Sequence, residues 1–582
     1  MLKRIVLFAG VIFLIIFACK PLFAENPAEE EGKGDIIDAK LAQEKEKIEA
    51  LPIEIEIKEK VEKERPRPIL PEEPIFIRKV NVVGVTVLSN KEIDEIISDF
   101  QNKEMTGKEM QRCADQISDA YSLNGYITSY VYIDPSKLNE GILEIKSVEG
   151  KVGNIKIEGN RYFSTRIYEE RIDLKKGDIF NLKLLKNNAY RTSKHPDRKV
   201  IPKVQPQDTL ESTDVVISVK DKLPLHALFD FDNYGSENIL YKRYKNVPFI
   251  HNNITGHDDS LSLKAQFAES DAQLILDADY FLPLNNKWKW ELYIMPLKRE
   301  NYYYANDEDI DLEKNARKWY TYLYQTVFSE PNRELIFNYG FVQKFIRFFW
   351  DNHDGRGQRK SQDLFCALLW GFDYVRSDDY GTWVVSEDAE KGIPRMWGAA
   401  TAEDGGCSIV GAGSKYFKNK ILVARKQKLF WDIDLNLKMG GQYSTQALAG
   451  VNTYAIGGFM GLVDNRGYPR AELKMDSGYN LTGGFSFPAY FLPKSVRLPF
   501  CNTPVYNNLK LFTYTEYAKG YKRSPQPDDP RRKSLSSAGC GFQLAIPEYG
   551  LSTRLDIAWI LDHKLAKDGA HHHVLYKVTK TF

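Results

Sequence analysis

Between Leu225 and Phe582, apolar and polar residues alternate along one short run after another. Ser260 to Phe267 places Leu261, Leu263, Ala265 and Phe267 on one face, and Gln273 to Leu282 places Leu274, Leu276, Ala278, Tyr280 and Leu282 there, with Asp277 and Asp279 opposite. Trp288, Trp290, Leu292 and Ile294 alternate with Lys289 and Glu291, and late in the chain Leu555, Ile557, Trp559 and Leu561 repeat the pattern. A period of two belongs to a strand with one apolar face. A strand of ~10 residues with its share of turn takes about 22, so the region predicts about 16 antiparallel strands. Charges on the second face would lie unpaired in the core of a soluble sandwich, whereas the lumen of a barrel keeps them wet.

Upstream the pattern changes. Ile75 to Val87 (IFIRKVNVVGVTV) reads as a strand with a turn at Gly84, after which Ser89 caps a helix running to about Phe100. Ile93, Ile96 and Ile97 have helical spacing. A second helix runs from near Gly107 to a left-handed stop at Asn124-Gly125, and strands follow at Tyr126 to Ile133 and Gly141 to Val148. The order β-α-α-β-β then recurs: Gly153 to Gly159, helices over Ser164 to Ile172 and Asn181 to Lys194, and strands at Val200 to Val204 and Thr213 to Val219. Small sheets of this kind end in edge strands, which accept an extended peptide through main-chain hydrogen bonds.

Lys3 and Arg4 precede an apolar run from Ile5 to Phe17, and Leu22-Phe23-Ala24 offers a cleavage site, the pattern of a secretory signal peptide. Lipidation at Cys19 is the rival reading. Residues 25–74 are charged and Pro-rich and read as a solvated linker, within which Ala39 to Ala50 is a candidate plug helix. No later run is long and apolar enough for a transmembrane helix, so a membrane-spanning form of this chain requires a closed barrel.

Composition supports that picture. Aromatic residues make up 13% of the chain, with 33 Tyr, 31 Phe and 9 Trp, while mean hydropathy stays negative at -0.42. Barrels combine these properties, because lumen residues offset lipid-facing ones and aromatic rings gather at the two interfaces. With 80 basic and 79 acidic residues the net charge is +1, which gives no reason to expect nucleic acid as a partner. The cysteines, at 19, 113, 366, 407, 501 and 540, form no CxxC pattern, so no metal or redox centre is expected, and a Cys366–Cys407 disulfide is not favoured.

Catalytic chemistry finds no foothold. Ser193, His195 and Asp197 lie in one short stretch interrupted by Pro196, which by spacing cannot form a relay, and Asp351, His353 and Asp354 read as a polar loop. His571 to His573 point to alternating faces, so a polar cluster is favoured over a metal site. There is no phosphate-binding loop. The expectation is a chain that is not an enzyme, with no catalytic residues, metal or cofactor.

With these elements assembled, the chain resembles the two-partner secretion outer-membrane transporters of the haemolysin and haemagglutinin activator family, and its repeats resemble polypeptide-transport-associated (POTRA) domains. Asp232, Asn233 and Gly235 resemble the family's Asp-Asn-x-Gly phrase at the first barrel strand. Arg466, Gly467 and Tyr468, after Gly457-Gly458, resemble its Val-Arg-Gly-Tyr/Phe tetrad at the tip of an inward-folded loop, with Asn465 in place of the apolar residue. Glu516, within LFTYTEYAKG, stands where the family places an acidic lumen partner for that Arg, with Glu for Asp and Ala518 for Gly. Tyr576, Val578 and Phe582 resemble the C-terminal assembly signal, from which Lys580 departs; Pro206-Gln207 replaces the family's Pro-Gly turn.

The resemblance implies a signal peptide at 1–24, a linker at 25–74, POTRA-like domains at 75–150 and 151–222, and an outer-membrane barrel at 223–582, with the N-terminal domains in the periplasm. It implies secretion of a large partner exoprotein, bound unfolded at the POTRA domains and threaded through the lumen. The partners would be that client, outer-membrane lipid and the barrel assembly machinery during biogenesis. Two other readings remain open: an outer-membrane protein assembly or insertion factor, for which two repeats are few, and a passive porin-like channel, which would not need them.

Overall fold

A computed structural model describes residues 56–57, 68 and 70–582, apart from 207–211, 235–242, 269–272, 286–289, 307–309, 353–358, 402–406, 408, 410, 460–463, 499–500, 526–529 and 563–565. The expected signal peptide, Cys19, the candidate plug helix, Gly235, Gln207, Trp288 and the His353-Asp354 pair lie outside the described residues.

The first module is more broken than its pattern suggests. The single strand expected over Ile75 to Val87 is two, Ile75–Ile77 and Lys79–Val83. At Arg78 the backbone turns to donate to the Gly141 carbonyl at 2.8 Å. Ile75–Ile77 pairs instead with Lys103–Met105, a strand the apolar pattern does not announce because it has only three residues. Lys79–Val83 ends at Gly84, whose φ of 88° and whose approach to the Ser147 carbonyl exclude a side chain. The helices Asn90–Ile97 and Gly107–Leu123 each begin with a reciprocal capping box, Ser89 with Glu92 and Thr106 with Glu109. Their apolar faces cover a sheet in the order Lys79–Val83, Ile142–Val148, Tyr130–Asp134. Tyr126 to Ser129, expected as strand, form a turn.

The second module repeats the plan around Phe163, Tyr168, Phe180, Leu185 and Val215. Its sheet runs Arg198–Pro206, Ser212–Asp221, Lys151–Glu158. The edge strand Arg198–Pro206 carries a further partner: linker residues Glu56–Ile57 pair with it in parallel, opposite Lys203 and Val204.

Among the described residues sixteen strands close into an antiparallel barrel, from Leu225–Asp232 to His572–Thr581. Neighbours in sequence pair throughout, except where residues 445–476 leave the wall between strands Asp434–Ser444 and Ser477–Pro488. Trp319, Tyr339, Trp370, Leu437 and Phe485 point outward and are exposed, while Lys344, Glu390, Lys418, Glu516 and Asp556 are buried inside. An apolar exterior over a charged interior is the arrangement that lipid requires. Among the described residues no disulfide joins Cys366 to Cys407.

Candidate functional site

Residues 445–459 and 464–476 fold back into the lumen. A short hairpin, Tyr454–Ile456 with Leu473–Met475, forms the stem. Tyr454, Ile456, Tyr468, Leu473 and Met475 pack on the inner wall at Val375, Val384, Leu422, Ala518 and Leu535, so an apolar strip holds the loop against the wall. Gly457 and Gly458 make the bend with φ of 114° and 74°. A Cβ at Gly458 would lie 2.7 Å from the Arg470 Cα, which leaves no room for any other residue.

Arg466 sits at the tip. Its Nε donates to Glu516 Oε1 at 2.7 Å, its backbone N–H to Glu516 Oε2 at 2.7 Å, and its Nη1 to Asp556 Oδ1 at 2.9 Å. The guanidinium lies 3.5 Å from the centre of the Tyr514 ring. Arg554 grips Asp556 with two further hydrogen bonds of 2.7 and 2.9 Å, and Ser537 Oγ donates to Glu516 at 2.9 Å. Two guanidinium groups thus face two carboxylates, each acid fully buried. Such a cluster joins four charged groups by charge-assisted bonds, each stronger than a neutral hydrogen bond.

Around it, Asn465 Nδ2 donates to the Leu535 carbonyl at 3.1 Å, a bond that an apolar residue at this position would not make. A Cβ at Gly467 would meet Ser537 Cβ at 2.6 Å. Tyr468 Oη donates to Asp562 Oδ2 at 2.8 Å. Asp556 is a partner that sequence reasoning missed. Its signal was present, because Leu555, Ile557 and Trp559 face outward and leave Asp556 on the inner face.

The residues at the chain's two barrel ends meet elsewhere, at the seam. Leu225–Asp232 pairs with His572–Thr581 over five residues, ending at Asp232 opposite Lys577. Beyond that point the Asn233 side chain continues the ladder: its Nδ2 donates to the Val574 carbonyl at 2.7 Å and its Oδ1 accepts from Tyr576 N–H at 2.8 Å. Asp232 accepts from Tyr234 N–H at 2.8 Å, and Tyr234 stacks obliquely on Phe459 of the inward loop. Val578 lies opposite Phe231, and Phe582 N–H donates to the Ala227 carbonyl with its ring exposed.

A second charged cluster joins the second module to the barrel. Asp258, in the turn between strands Arg243–His251 and Ser260–Ala268, has a φ of 62°, accepts from both terminal nitrogens of Arg198, at 2.6 and 2.5 Å, and forms an ion pair with Arg171. Burial raises the Asp258 pKa, but hydrogen bonding and charge from Arg198, with Arg171, outweigh it and hold the carboxyl below its ordinary value. His195 Nε2 lies 2.9 Å from the Asn252 carbonyl while its Nδ1 accepts from Asp197 N–H, the neutral tautomer, in keeping with a pKa lowered by burial and by Arg198. Asp197 also meets His226 at 2.5 Å, and Ser193 Oγ accepts from Val200 N–H at 2.9 Å. From the helix Leu182–Ser193 and its C-cap, Arg191 and Lys194 reach Ser329, and Lys194 also reaches Glu334.

Comparison with known proteins gives three family matches. Residues 75–150 match the POTRA domain, ShlB-type; residues 150–222 match the POTRA domain described as a surface antigen variable number repeat; residues 211–499 match the haemolysin secretion/activation protein ShlB/FhaC/HecB. The outer membrane transporter CdiB of Escherichia coli O6:K15:H31 (strain 536 / UPEC) is 20% identical over 433 residues, 72% of this chain and 71% of that protein. CdiB of Dickeya dadantii (strain 3937) is 21% identical over 215 residues, 36% of this chain and 38% of that one. Among solved structures, CdiB from Escherichia coli superposes with a TM-score of 0.74 at 16% identity, covering 95% of this chain and 98% of that chain. CdiB from Acinetobacter baumannii gives 0.64 at 13% identity, covering 96% and 100%. At these identities the structural likeness concerns the fold.

Proposed function

The chain belongs to the haemolysin secretion/activation family ShlB/FhaC/HecB, the outer-membrane transporters of two-partner secretion, and from that premise we propose that it exports its partner by docking it unfolded on the POTRA modules and threading it through a lumen that the inward loop must vacate. Its barrel lies in the outer membrane with the modules in the periplasm, and its kind of transport implies a secreted exoprotein partner. The family is one of transporters rather than enzymes.

One observation carries the threading reading. The loop lies in the lumen yet is fastened at its tip by a cluster of charge-assisted bonds, Arg466 on Glu516 and Asp556, that can exchange partners with water once the loop moves. Docking by strand addition has its own support, because the edge strand Arg198–Pro206 already takes an extended segment, Glu56–Ile57. Asn233, Tyr576, Val578 and Phe582 fasten the seam, the role this reading gives to the two end motifs and the one through which the assembly machinery would act.

The test is to co-express the chain with large exoproteins encoded beside it and assay the medium, with and without Arg466→Ala and deletion of residues 75–148. Secretion that requires the chain and falls in both variants is the expected result. Normal secretion after the deletion contradicts docking. Secretion independent of the chain, alongside defective assembly of other outer-membrane proteins, replaces the reading with that of an insertion factor.

A further inference from the structure

The run His571-His572-His573 has no part in the transport reading so far, and its third member touches the loop. His573 lies in the last strand with its ring turned inward. Its Nδ1 is 2.8 Å from the carbonyl oxygen of Gly467, next to Arg466 at the loop tip, and its Nε2 is 2.7 Å from Asp568 Oδ2, in the connection that precedes the strand. A carbonyl and a carboxylate can only accept. A neutral imidazole carries one N–H, so it can satisfy one of these two partners; the imidazolium carries two and satisfies both. The ring and its carboxylate are largely buried, with side chains 11% and 9% exposed, so a lost bond is not replaced freely by bulk water.

We propose that His573 is a positioning residue which, as an imidazolium, fastens the tip of the inward loop to the closing strand of the barrel, and that loss of its proton loosens the tip. The inference rests on the reading in which the loop must leave the lumen. It gives that loop a second anchor, on the strand that seals the seam, in addition to the Arg466 cluster.

The charged and titratable groups around the ring come from four places. On the inward loop are Arg470, Tyr468 and Glu472; in the preceding connection are Asp568 and Lys567, whose N–H donates to Glu472; Tyr234 follows the first strand; His572 shares the ring's own strand, which His571 immediately precedes. Glu472, His571 and His572 are the groups to control for, by Glu472→Gln, His571→Gln and His572→Gln.

Ion current through the purified full-length chain in planar bilayers reads how often the loop leaves the lumen. From about pH 5.5 to about pH 8.5, wild-type current is expected to rise about tenfold, the loss of one charge-assisted bond. His573→Gln, which cannot titrate, is expected to stay at the high level throughout. His573→Lys, a permanent cation with several donors, is expected to stay at the low level, and the three control variants to keep the wild-type response. A pH response that survives in both His573 variants, or that disappears in a control variant, overturns the proposal. A flat wild-type profile beside a raised current in Arg466→Ala overturns the His573 assignment alone; a current that neither pH nor Arg466→Ala changes overturns it together with the moving-loop reading.

Discussion

Two buried arginine-carboxylate clusters hold this molecule together, and they are built differently. At the joint between the second POTRA module and the barrel, Arg171 and Arg198 converge on one acid, Asp258, on a turn held in a left-handed conformation. In the lumen, Arg466 and Arg554 face two acids, Glu516 and Asp556, drawn from a loop and separate strands. At the joint a single carboxylate receives both guanidinium groups, so its loss takes the same ion-pair partner from two arginines at once. The lumen cluster is redundant: when Arg466 leaves, Asp556 keeps Arg554 and Glu516 keeps Ser537. One geometry suits a fixed joint, the other a contact that is made and released.

That contrast orders the expected effects. Asp258→Ala should be the most damaging, about 3–5 kcal/mol for uncovering buried charge. Limited proteolysis should then release the periplasmic modules from a barrel that remains folded, and equal protease resistance in the variant would remove the distinction. Glu516→Gln should cost less, about 1–3 kcal/mol, because Asp556 still holds Arg466. It should raise channel current without exposing the joint to protease.

Smaller still is Asn233→Ala, which removes two seam hydrogen bonds worth about 1–2 kcal/mol together. Heating in detergent should unfold that barrel a few degrees earlier, and Asn233→Asp, which keeps only the acceptor toward Tyr576 N–H, should fall between. The joint should also be indifferent to mild acid. Because its folded pKa is depressed, Asp258 contributes in full above the ordinary carboxylate value of about 3.9 and loses that contribution only as pH falls through its lower folded value. Protease resistance of the joint should therefore be the same at about pH 5 as at about pH 8.

Much of the barrel was legible because a period of two is local: Leu261 to Phe267 and Leu555 to Leu561 announce their faces without reference to any neighbour. The break at Arg78 was not, since it depends on a bond to Gly141, 63 residues away by number. At the lumen, the resemblance pointed to Glu516 as Arg466's partner, but Asp556 needed its own alternation to be read for the polar face rather than the apolar one. The joint left no trace in the sequence. Asp258 looks like any polar turn residue, and only folding brings Arg171 and Arg198 to it. His573 was visible as one of three histidines, yet its meaning lies in two acceptors, Gly467 and Asp568, that no pattern connects.

The most direct test of the account is a double-mutant cycle on secretion, with Arg466→Ala and Glu516→Ala made singly and together and the exported partner measured in the medium. If the two residues act through one releasable contact, each variant lowers export and the pair together is no worse than the more severe single change. Losses that multiply, or export at the wild-type level without Arg466, would mean that the loop tip is not the gate.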